Sequence, residues 1–96
     1  MKQQNFKLIE GTFEPEEARN ILFSLVNTKI NFHSMEAFGI AIRSSGDTSY
    51  HDKRISELTK MNLDLKVLLE EARGAGLDVK ITGDIAITVV EKKDVD

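Results

Sequence analysis

The sequence predicts an α+β domain of order β-α-α-β(-β), in two layers, with an antiparallel helical hairpin packed on a small antiparallel sheet. Three observations point there. Two long segments carry apolar residues at helical spacing, one polar connection separates them, and the C-terminal stretch alternates strictly in the manner of strands.

The predicted first strand covers about 5–12. Phe6 and Leu8 alternate with Lys7, Ile9 breaks the alternation, and Gly11 punctuates it. A helix is then expected over about 15–42. Pro15 suits a first helical position, where its missing N–H is not needed, and Glu16 and Glu17 complement the positive helix end. Glu14 is a poor capping residue, and Phe13 is placed to pack one turn into the helix as a staple. Within this helix Ile21, Leu25, Thr28, Phe32, Met35, Gly39 and Ile42 fall on one face at spacings of four and three. Phe23, Val26 and Ile30 lie on the opposite side, so the first half is apolar nearly all round and must be covered twice.

Ser44 to Ser49 form the one extended Gly/Ser/Asp/Thr cluster, giving a connection at 43–49. The second helix is expected over about 50–74. Ser49 and Asp52 have capping-box spacing, the stripe Ile55, Leu58, Met61, Leu65, Leu68, Leu69 and Ala72 is amphipathic, and Gly74 and Gly76 supply left-handed stops. Over 77–90, Leu77, Val79, Ile81, Gly83, Ile85, Ile87 and Val89 share one parity. Either a hairpin with a three-residue loop around Gly83 or one long strand keeps them on one face, and the length of the run favours the hairpin. Residues 91–96 are expected to fray.

Composition bounds the function. The chain has 96 residues, 41% of them hydrophobic and 30% charged, with a net charge of −3, which fits a single folded domain, 1–96, without a strongly basic surface. It contains no Cys, which removes thiol nucleophiles and sulfur-based zinc sites. No apolar run reaches the length of a signal peptide or a membrane span, so a cytoplasmic protein that does not engage membranes is expected. The basic residues of the second helix alternate with acidic ones, which argues against a phosphate track and a nucleic-acid partner.

No catalytic, cofactor-binding or metal-binding residues are assigned, and no enzymatic activity is expected. His33 and His51 sit in different segments without a third ligand, and each reads more simply as exposed, ion-paired or part of a helix start. One stretch stands out for its mid-helix polar residues. Asn27, Asn31 and His33, with Arg43 farther along, form a possible recognition patch. The unassigned apolar residues Phe23, Val26, Ile30, Leu63 and Val67 form a possible self-association surface. The expected function is therefore a small non-catalytic cytoplasmic interaction or scaffold protein that self-associates, most simply as a dimer, alongside a still unknown protein partner. The rival expectation is a ligand- or nucleic-acid-responsive regulator that uses the polar patch.

Overall fold

The structure is a computed structural model describing residues 2–92; the frayed tail expected at 91–96 falls mostly outside this range. Its elements are β1 (Gln3–Phe13), α1 (Pro15–Ser44), α2 (Ser49–Gly74) and β2 (Val79–Thr88). The fold is α+β: an antiparallel helical hairpin packed against a two-stranded antiparallel sheet, with the order β-α-α-β. β1 and β2 are each other's main neighbours, and α1 touches both strands far less extensively.

The C-terminal segment is one strand, which corrects the favoured hairpin. β1 extends to 11 residues and supplies a partner along all of β2, with Phe13 opposite Val79 and Gln3 opposite Thr88. Gly83 makes no turn. It lies opposite Ile9 where the register shifts, and a Cβ there would stand 3.2 Å from Ile9 Cγ2. A side chain at this position would have to displace the Ile9 methyl beside the bulge.

That bulge explains the irregular parity of β1. Leu8 is the residue left without a partner between Lys7 and Ile9. From there Phe6 pairs with Ile85 and Gln4 with Ile87, while Ile9, Gly11 and Phe13 pair with Gly83, Ile81 and Val79. Directly paired residues share a face, so the inversion of parity at Leu8 gathers Phe6, Ile9 and Phe13 beside the whole apolar set of β2. The other face carries Lys7, Glu10, Lys80 and Asp84. An ion pair of 2.8 Å between Lys7 Nζ and Glu10 Oε2, three residues apart in a strand, records the same inversion.

α1 begins behind Pro15, and Glu17 Oε1 accepts from the Glu14 N–H at 3.2 Å. The ring of Phe13 lies back over Gly11, 3.3 Å from where a Cβ would stand. α1 ends at Ser45, a left-handed C-cap with φ 51°. The start of α2 differs from expectation by one residue. Thr48 is the cap, its hydroxyl donates to Asp52 Oδ2 at 2.7 Å, and Asp47 Oδ1 accepts the Ser49 N–H at 2.9 Å. Those Ser49 contacts, its hydroxyl first and its N–H second, hold the Asp47 carboxyl below its ordinary range. At the other end Gly76 alone is left-handed, with φ 70°, and Gly74 remains helical. The Gly76 N–H donates to Arg73 O and the Leu77 N–H to Ala72 O, the paired bonds of a Schellman stop.

The hairpin core is narrow. Among the described residues the buried apolar side chains are Ala18 and Val26 of α1 and Leu58 and Leu69 of α2. On α2 the half-buried Ile55, Asn62, Leu65 and Ala72 complete a seam at alternating spacings of three and four. α1 therefore presents to α2 the side that carries Val26 and Ile30. Of the two apolar sides that had to be covered, the stripe through Ile21 and Ile42 is left open, with Leu25 45%, Phe32 49%, Met35 75% and Ile42 66% exposed.

Candidate functional site

Polar residues interrupt the helical seam at two places. Midway, Asn62 Nδ2 of α2 donates to Asn27 Oδ1 of α1 at 2.9 Å. Nearer the connection, His33 and His51 meet with their Nδ1 atoms 2.9 Å apart.

Helical geometry places His33 there. It follows Val26 and Ile30 along the side turned toward α2, so it occupies a core position on an otherwise apolar seam. It is 2% exposed, which corrects the expectation of an exposed or ion-paired histidine at the flank of the helix. His51 stands in the first turn of α2 and is half-buried. Phe32 and Tyr50 hold their edges or faces against the His33 ring at centroid distances of 5.2 and 6.0 Å.

A hydrogen bond between two Nδ1 atoms requires one of them protonated and the other bare, so the contact belongs to the neutral or singly protonated pair. A second proton would set two donors against each other. Burial first, then the charges of Lys29, His51 and Arg54, lower the pKa of His33, and Glu36 opposes them. Its Nε2 is buried with no hydrogen-bond partner, which further disfavours a charged ring.

This arrangement has no reacting partner. Each histidine directs Nδ1 at the other ring, and neither is bonded to a carboxylate or a hydroxyl nucleophile among the described residues. No group of three or more potential metal ligands exists among those residues. The hollow beside Glu16, Arg19, Lys66 and Glu70 holds about 50 Å³, space for water molecules rather than a metabolite. An open trough of about 350 Å³ lies where Glu14 and Glu16 face Arg73 and Asp78 at the junction of helices and sheet.

The four residues of the expected recognition patch are not brought together. Asn27 binds the other helix, His33 is sealed in the seam, Asn31 is exposed, and the Arg43 guanidinium lies back along α1 against Gly39. The expected self-association set is also divided. Val26 is buried inside the hairpin and Phe23 and Ile30 are half-buried, whereas Leu63 and Val67 are 61% and 57% exposed. Sequence reading missed the His33 and His51 contact and the role of Asn62. The signal was present, because His51 and Asn62 fall on the same three-and-four repeat as Ile55, Leu58, Leu65, Leu69 and Ala72.

No helix of the described residues is long and apolar enough to cross a membrane. Neither a family model, nor a curated protein, nor a solved structure matches the chain.

Proposed function

We propose that this chain is a small non-catalytic interaction module whose working form is a homo-oligomer, most simply a dimer. The observation that carries the reading is the open apolar surface of the single chain. A compact protein of 10.8 kDa exposes about 5,500 Å². This chain exposes 7755 Å², an excess of about 2,200 Å². Its radius of gyration is 17.3 Å, against about 12.5 Å for a compact chain of this length.

Counted over two chains that excess is about 4,400 Å², within the range of obligate homodimer interfaces, about 2,000–5,000 Å² over both partners. A second copy is the partner that is always present with the right surface, and closed twofold pairing is the simplest symmetry. We assign the module to the cytoplasm on the sequence reading alone. The rival regulator reading is weakened because its four patch residues face different neighbours.

Light scattering across a concentration series tests this. A dimer or higher oligomer at micromolar concentration is the expected result, and a monomer at every concentration up to the millimolar range overturns it.

A further inference from the structure

Two apolar surfaces are open at once. One is the sheet face assembled by the Leu8 bulge, with Phe6, Ile9, Phe13, Val79, Ile81, Ile85 and Ile87 and no charged residue on it. Near the helices this face is half-buried at Ile9, Phe13, Val79 and Ile81, whereas Phe6, Ile85 and Ile87 remain 47%, 41% and 51% exposed. The other is the outer stripe of α1, from Ile21 through Leu25, Thr28, Phe32 and Met35 to Ile42, where Lys29 Nζ lies 4.7 Å from the centroid of the Phe32 ring.

A two-stranded sheet needs further strands or a helical cover to be stable in water, and an apolar helical stripe needs a facing layer. Within one chain neither surface covers the other, as the exposures of Phe32 and Ile85 show.

We infer that the second copy seats the apolar face of its sheet on the outer stripe of α1, and receives the same from the first copy, in a reciprocal twofold exchange. This rests on the homo-oligomer reading above and names the surface it uses. One twofold operation covers both open surfaces in both chains, since a contact of Ile85 with Phe32 in one direction is repeated in the other. Packing sheet against sheet or α1 against α1 leaves one of the two surfaces in water.

Complementation between two variants separates these arrangements. Phe32→Glu and Ile85→Lys are each expected to raise the dimer dissociation constant by about 30-fold or more, as loss of a central apolar contact does. Mixed in equal amounts, they are expected to recover a dimer containing one copy of each, detected by native mass spectrometry. In that mixed dimer one seat joins unaltered residues and the other sets the new acid against the new base. A Phe32→Glu chain that stays dimeric, an Ile85→Lys chain that stays dimeric, or two monomeric variants that do not combine on mixing would each overturn the exchange while leaving self-association standing. A monomeric unaltered protein would overturn both. Should either charged variant lose its helical circular dichroism alone, Phe32→Ser and Ile85→Thr provide the same comparison through their dissociation constants, with the mixture binding tighter than either variant by itself.

Discussion

The helical hairpin and the sheet solve the same problem to different degrees. Between α1 and α2, a three-and-four repeat places Leu58 and Leu69 at 5% exposure and Val26 at 8%. In the sheet, the bulge at Leu8 sorts apolar from charged side chains with equal clarity, yet Ile85 and Ile87 stay about half exposed. The difference teaches that segregating apolar residues onto one face and burying that face are separate achievements. The hairpin has its second layer in the same chain, because a short connection returns α2 along α1. The sheet has only two strands and one region of contact with α1, so its outer half depends on a layer from elsewhere.

If that contrast holds, truncation should be felt most in the seam. Leu58→Ala is expected to destabilise the chain by about 2–5 kcal/mol through lost burial and a residual cavity. Ile85→Ala should leave the unfolding free energy of the separated chain changed by less than half as much. Urea titrations of the dilute protein measure both, and equal losses would erase the distinction between the regions.

At the bulge the expected effect is next in size. Gly83→Val places a branched side chain where a Cβ already stands 3.2 Å from Ile9 Cγ2. Overpacking of this kind should cost about 1–3 kcal/mol, and amide exchange should quicken at Lys7 and Asp84 more than in the helices. Unchanged protection across the sheet would show that the bulge does not need glycine.

The seam's own polar interruption gives a pH dependence. His33 has a lowered pKa in the folded chain, so below its ordinary value near 6.5 the unfolded chain takes up a proton that the folded chain refuses. Its contribution is undiminished above that value and is lost as pH falls toward the lowered folded value. The melting temperature is thus expected to fall from pH 7.5 to pH 5.5, and His33→Leu should flatten that fall. The same slope in the variant would remove His33 as its source.

The smallest effect belongs to the connection. Ser45 holds φ 51°, a left-handed conformation that costs a side-chain-bearing residue about 1 kcal/mol. Ser45→Gly should stabilise by about 0.5–1 kcal/mol, less than the relief because glycine gains freedom when unfolded. A lowered melting temperature would mean that the Ser45 side chain contributes more than its backbone strain removes.

Much of this molecule was legible from residue order because its elements announce themselves locally. Pro15 with two following acids, the stripe of α2 and the parity of 77–90 depend on neighbours three or four positions away at most, and the helices and strands follow them closely. The hairpin at Gly83 was misread because a glycine in an alternating run is compatible with a turn or a bulge. Only the length of β1 on the opposite strand decides between them. The face of α1 was misread for a related reason. Both of its sides are apolar, and which one meets α2 depends on where the four-residue connection aims the second helix.

The same division applies to the candidate site. Sequence shows two histidines and two asparagines at helical positions, and the heptad-like repeat of α2 shows that His51 and Asn62 share its inner side. That His33 is their facing neighbour required the helices to be docked, because a distance of 2.9 Å between residues 18 positions apart is a tertiary fact. Local periodicity and backbone stereochemistry therefore determined the fold class, the element order and the amount of apolar surface. Docking decided which part of that surface is covered by the chain itself and which part is left open.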